Sequence, residues 1–177
     1  MIAGDSAGAN LTLGILSHLS HPHPSIAPLE LDAPLRGTVL LAPWTTFDNE
    51  GWASIEYNKN KDTVNSSYTD IWSRNFLGGK PRDEYNEPMR AEAEWWRGLR
   101  AEEVLMVAGG DEILLDSIKV FFGKVEVGRL FLNLSLSKPL IFPSTSPTPR
   151  LKNPPSRLST QRPSSPSSKT NSTTSRP

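Results

Sequence analysis

Two rhythms of apolar and polar positions run through the first 127 residues and stop there. From Ala7 to Ser20, Leu11, Ile15 and Leu19 recur at i, i+4 and i+8, and Leu13 and Leu16 widen the stripe, which predicts a buried helix. Leu35 to Ala42 is a short apolar, partly β-branched run stopped by Pro43, and it predicts a buried strand. Val104 to Ala108 predicts a second such strand, and Met1-Ile2-Ala3 has the length of only a strand's end. Glu112 to Lys124 reads as a helix with Ile113, Val120 and Phe121 among its apolar positions, and Val125-Glu126-Val127 as the start of one more strand. Strand, helix and strand at this spacing form a right-handed βαβ unit, so the expectation is an α/β fold with a mainly parallel sheet flanked by helices.

Residues 44–98 interrupt this order. They are polar and broken by Gly and Pro, yet they hold all five tryptophans and all three tyrosines, which predicts an excursion over the sheet rather than a strand within it. Trp44, Phe47, Trp72, Trp95 and Trp96 either wall an apolar pocket or cover strand ends and fill the core. Core filling is favoured for any single one of them.

Charge divides the chain more sharply than hydropathy does. Residues 1–127 hold all 19 acidic residues and 11 of the 19 basic ones, whereas 128–177 hold no acid and the other 8 basic residues. The second segment is Ser, Pro and Thr with scattered Lys and Arg, so 1–127 is expected to be a folded domain and 128–177 a disordered basic tail. Eight charges without interleaved aromatics read as a solvated linker, and no nucleic-acid partner is expected. The chain has no cysteine, which excludes disulfides and thiolate metal sites. No apolar run has the length of a membrane span and the N-terminus is unlike a signal peptide, so the expectation is a soluble cytoplasmic protein without a transmembrane segment.

Candidate chemistry concentrates at Gly4-Asp5-Ser6-Ala7-Gly8. This is the G-x-S-x-G pattern of a nucleophile elbow, in which small flanking residues let a serine stand on a tight strand-to-helix turn with its hydroxyl exposed. The competing reading is a Gly-rich helix start with Ser6 as its N-cap. Asp111 ends an apolar strand on the edge where Ser6 would sit, in the order Ser then Asp that such sites use, although a carboxylate at a helix start also caps.

Four segments together resemble the hormone-sensitive-lipase branch of the α/β-hydrolases, in the form of fungal esterases and steryl acetyl hydrolases. They are Ala3 to Asn10, Leu41-Ala42-Pro43-Trp44, Trp95 to Leu99, and Ala108-Gly109-Gly110-Asp111-Glu112 with Asp116. The resemblance covers residues 1–127 and implies a serine hydrolase of small apolar esters, without cofactor or metal. It makes Ser6 the nucleophile, Asp111 the acid that orients a histidine, and the Ala7 N–H one oxyanion-hole donor. Asp116 is expected on the helix surface or behind the site.

Two parts of that machinery have no counterpart in the sequence. The Gly-rich loop that supplies the second oxyanion donor lies upstream of the elbow in this family, and the only histidines are His18, His21 and His23. His18 is twelve residues along a helix from Ser6, about 18 Å at 1.5 Å per residue. His21 and His23 lie in a proline-rich loop and are expected to be solvated. The expectation is therefore an incomplete α/β-hydrolase domain that begins inside the fold, catalytically incomplete as written. The alternative is a non-catalytic, hydrolase-like binding protein.

Overall fold

A computed structural model describes residues 1–130 and 140–143, all within one unit, Met1–Pro147. Its elements in chain order are β1 (Ile2–Asp5), α1 (Ala7–Ser20), β2 (Thr38–Leu41), α2 (Ala53–Asn58), α3 (Ser66–Leu77), 3-10 turns at Pro88–Arg90 and Ala93–Trp96, β3 (Val104–Gly109), α4 (Leu115–Leu130) and β4 (Leu140–Phe142). The strands form one sheet in the order β1-β2-β3-β4 with every pairing parallel. Asp5 is level with Leu41, and Leu41 with Val107, so the carboxyl ends of the strands that precede Ser6 and Asp111 share one edge, with β2 between them.

The core follows from the apolar spacing. Ala9, Leu13 and Leu16 of α1 bury against the sheet with Leu40, Val104 and Met106, while Ile118, Phe121, Phe122 and Val125 of α4 bury around Trp96. Of the stripe at i, i+4 and i+8 only Leu19 packs against this core. Leu11 and Ile15 are exposed and border an open cavity of about 660 Å³ with Ile26, Leu29 and Phe76. The first turn of α1 lies so close to the end of β1 that a Cβ on Gly4 would stand 2.2 Å from the Gly8 carbonyl oxygen, and Ala9, Leu13 and Leu16 are on the buried face.

The second helix runs further than the sequence suggests. Val125-Glu126-Val127 continues α4 rather than opening a strand, because Ile118, Phe121, Phe122 and Val125 keep a helical period that outweighs the β-branched residues. The boundary expected at Gly128 falls inside this helix. A Cβ on Gly128 would meet the Ala93 carbonyl oxygen at 2.3 Å, and buried Arg129 donates to the carbonyls of Ala101 (3.1 Å) and Glu102 (2.6 Å). Residues 140–142 add β4 beside β3, so part of the basic segment belongs to the sheet. The tail expected over the remainder of 128–177 lies outside the described residues.

Between β2 and β3, residues 44–98 carry α2, α3 and the two 3-10 turns, and buried polar groups hold this stretch. Glu87 is 1 % exposed, ion-paired to Arg82, and accepts from the Thr46 hydroxyl (2.9 Å) and the Phe47 N–H (2.8 Å). Among the aromatics, Trp44, Phe47 and Trp96 are buried, Trp95 is half-buried, and Trp72 is 47 % exposed.

Candidate active site

Ser6 occupies the turn between β1 and α1 at φ 53° and ψ −115°, and Ala42 is the other non-glycine residue with positive φ among those described. A β-carbon in that region costs about 1–3 kcal/mol, so surrounding contacts must hold it there. They do so through the backbone. The Ser6 N–H donates to the Leu41 carbonyl (2.9 Å), and the Ser6 carbonyl accepts from the N–H groups of Ala9 (3.1 Å), Asn10 (3.1 Å) and Trp44 (3.2 Å). The Ser6 side chain makes no capping hydrogen bond to α1. Ser6 is thus the N-cap residue of α1 by position, but its hydroxyl does not cap the helix and is left for other partners.

Close approach of strand and helix makes the turn possible. A Cβ on Gly4 would lie 2.2 Å from the Gly8 carbonyl oxygen and 2.6 Å from the Ala9 nitrogen. Only hydrogen fits. The Ala7 N–H, at the first position of α1, has no partner within the helix by the geometry of helix starts.

Asn10 supports the elbow from behind, which the sequence did not signal. Its buried Nδ2 donates to the carbonyls of Trp44 (2.9 Å) and Asn86 (3.0 Å), binding α1 to the loop after β2 and to the excursion. Its place one turn after Ser6 was the only available clue. Two small cavities open at the elbow. One of about 140 Å³ touches Ser6, Ala7, Trp44, Thr69, Trp72 and Leu114, and a neighbouring one of about 180 Å³ shares Ala7, Trp44 and Trp72.

The acidic turn after β3 reaches the same edge, since Leu114 borders the Ser6 cavity. Asp111 is ion-paired to Lys61 at 2.9 Å, with about a fifth of its side chain exposed. Glu112 folds back over the end of β3 so that Oε1 accepts from the Gly109 N–H (2.7 Å), while Oε2 is buried and has no hydrogen-bond partner among the described residues. Burial above all holds the Glu112 carboxyl above its usual range. The charges of Asp62 and Asp5 add to this, against the opposing effect of the Gly109 bond. Asp116 lies behind the turn, accepting from the Ser54 N–H (2.8 Å) at the start of α2.

A family model for the alpha/beta hydrolase fold matches residues 1–126. The chain belongs to the α/β-hydrolase family. No curated protein matches it. Solved structures do, and they share its fold. An esterase from the bacterial hormone-sensitive lipase family is 24% identical, with 80% of this chain and 42% of that one covered at a TM-score of 0.61. The homologue EstE7 from a metagenome library is 23% identical, with 80% and 43% covered at 0.60. Esterase LipW from Mycobacterium marinum is 21% identical, with 80% and 39% covered at 0.57. The chain thus spans about two fifths of the length of these esterases.

The three histidines make their contacts with residues other than Ser6, and are less solvated than expected. His21 stacks on Trp95 with ring centroids 4.0 Å apart, and burial lowers its pKa. His23 meets Tyr85 edge-on at 4.8 Å, and His18 bonds to the Ala27 carbonyl (3.0 Å) and accepts from the His23 N–H (3.0 Å). Packing on the aromatics of the excursion explains their half-burial. Among the described residues no group of His, Asp and Glu forms a metal site, and no helix is long and apolar enough to cross a membrane.

Proposed function

We propose that this chain carries the nucleophile and acid portion of a serine carboxylic-ester hydrolase, with Ser6 as the nucleophile. The strained backbone of Ser6, locked between Gly4 and Gly8 with its hydroxyl unused by the helix, is the observation that carries this reading. The hydroxyl oxygen attacks an ester carbonyl, its proton passes to a base, and the tetrahedral oxyanion rests against the Ala7 N–H. Collapse expels the alcohol, and water then releases the acid. An acidic side chain on the turn after β3 orients the base. The apolar cavities lined by Trp44 and Trp72 suit a small apolar acyl group, and the four-segment resemblance supports a place beside fungal esterases and steryl acetyl hydrolases.

With His18, His21 and His23 engaged elsewhere, the full chain is expected to hydrolyse 4-nitrophenyl butyrate negligibly, since loss of a triad base costs on the order of a million-fold in turnover. The nucleophile itself is tested with an alkylboronic acid, which forms a tetrahedral adduct with an elbow serine. Boron NMR should show that adduct on the parent chain and not on Ser6→Ala. Absence of any Ser6-dependent adduct refutes the assignment.

The same histidine placement favours a second reading, a non-catalytic binding protein. It requires that a neutral ester such as ethyl butyrate bind the parent and Ser6→Ala equally and remain intact.

A further inference from the structure

We infer that Glu112, and not Asp111, is the positioning carboxylate of this site: its side chain folds over the carboxyl end of β3 with one oxygen fixed and the other, buried and without a donor, available to accept from an imidazole N–H. The inference rests on the reading of Ser6 as nucleophile and names a different residue for the acid. Asp111 is the weaker candidate because its charge is already matched by Lys61 at 2.9 Å. To hold an imidazole it must give up or share that partner.

Glu112 has the opposite character. The Gly109 N–H fixes Oε1, and a Cβ on Gly109 would lie 2.9 Å from that oxygen, so the carboxylate sits directly on the strand end. Oε2 is buried without a donor. A buried carboxylate oxygen left unpaired is costly, and native structures keep few such atoms without a use for them. An imidazole Nδ1–H bonded to Oε2 satisfies that oxygen and leaves Nε2 to take the Ser6 proton, while the carboxylate itself stays unprotonated.

The backbone on both sides of Glu112 is pinned, as a positioning group requires. Asn58 Nδ2 donates to the Glu112 carbonyl (2.9 Å), and the Ile113 N–H donates to Asp62 Oδ2 (2.7 Å). Asp62 spends its other oxygen on the Val64 N–H (2.8 Å), so of the acids around Glu112 it is committed to backbone and Asp111 to Lys61. Asp5, whose charge also reaches Glu112, directly precedes Ser6 and links the turn to the elbow.

The test uses the full chain with imidazole supplied in solution as the base and 4-nitrophenyl acetate as substrate. The Ser6-dependent rate is the excess over Ser6→Ala. Glu112→Gln should lower the imidazole-dependent part of that excess by at least tenfold, roughly, and Asp111→Asn should leave it within about twofold. The reverse order, or two variants that both retain the rate, overturns the inference. A direct measurement follows the carboxyl-carbon NMR signals, assigned by their loss in Glu112→Gln and Asp111→Asn, through an imidazole titration. A saturable shift at Glu112 with none at Asp111 supports the assignment. A shift at Asp111 alone, or at neither, overturns it. A parent chain with no Ser6-dependent rate sinks the nucleophile reading, and the carboxyl titration still decides between the two acids.

Discussion

Gly4 and Gly8 lie in the same five-residue motif, yet the structure predicts opposite results when each is replaced by alanine. At Gly4 the new Cβ would stand 2.2 Å from the Gly8 carbonyl oxygen, 2.4 Å from its carbon and 2.6 Å from the Ala9 nitrogen. All three are backbone atoms, so no rotamer change relieves the clash. β1 and the first turn of α1 must part by about 1 Å to restore ordinary contact, which breaks the packing of Ala9 and Leu13 against the sheet. Overpacking costs about 1–3 kcal/mol where side chains can adjust, and backbone against backbone puts Gly4→Ala at the upper end, about 3 kcal/mol. For a unit of this size that is a fall in Tm of roughly 10 °C. A shift of about 1 Å at the nucleophile also costs on the order of a hundredfold in any reaction at Ser6. At Gly8 no atom lies within 4 Å of a new Cβ, and Gly to Ala within a helix gains up to about 1 kcal/mol, so Gly8→Ala should melt at or above the parent temperature. Differential scanning fluorimetry reads both melts, and the boronate adduct reports on Ser6. A Gly4→Ala protein melting within about 2 °C of the parent, or a Gly8→Ala protein falling as far as Gly4→Ala, refutes the close-approach argument.

Ser6→Gly should exceed Ser6→Ala in stability by about 1 kcal/mol, because alanine keeps a β-carbon in the strained region and glycine does not; equal urea midpoints would deny the strain. Asn10→Ala should cost about 2–4 kcal/mol in urea unfolding, since it leaves the buried Trp44 carbonyl and the part-buried Asn86 carbonyl without their side-chain donor. The raised pKa of Glu112 means its contribution to stability is complete below the unfolded glutamate value of about 4.3 and is lost as pH rises through the higher folded value. Urea midpoints measured across that window should therefore fall less steeply with pH in Glu112→Gln than in the parent.

The fold was legible where one period dominated. The run Ala7–Ser20 predicted α1 with the bounds observed, and the apolar runs before Pro43 and Gly109 predicted β2 and β3. Their parallel order followed from the handedness of βαβ units. What a period cannot give is its phase. Leu11 and Ile15 were as apolar as Leu13 and Leu16, yet only the second pair is buried in the core. The site divided in the same way. Ser6 could be proposed from the sequence because an elbow needs a fixed spacing of small residues in one stretch of chain. The choice between Asp111 and Glu112 depends on Lys61, fifty residues away, and on the Gly109 N–H, which no local pattern reports.

Gly128 tests where the folded unit stops, because composition and packing disagree there. By charge, the acidic domain gives way to the basic segment at this residue. By packing, Gly128 is a contact point: α4 crosses the 3-10 turn at Ala93–Trp96 so closely that a Cβ would lie 2.3 Å from the Ala93 carbonyl oxygen and 3.1 Å from the Trp96 Cβ. Trp96 is fully buried against Phe121 at 5.1 Å between ring centroids, so it cannot yield without opening the core. Gly128→Ala should consequently destabilise the protein by about 2–3 kcal/mol, although alanine is the better helix former by about 1 kcal/mol. If the fold ended at residue 127, the same change would sit in a free end and leave the melt unmoved. Urea unfolding followed by tryptophan fluorescence separates the two cases, and a midpoint at or above that of the parent would place the end of the packed unit before Gly128.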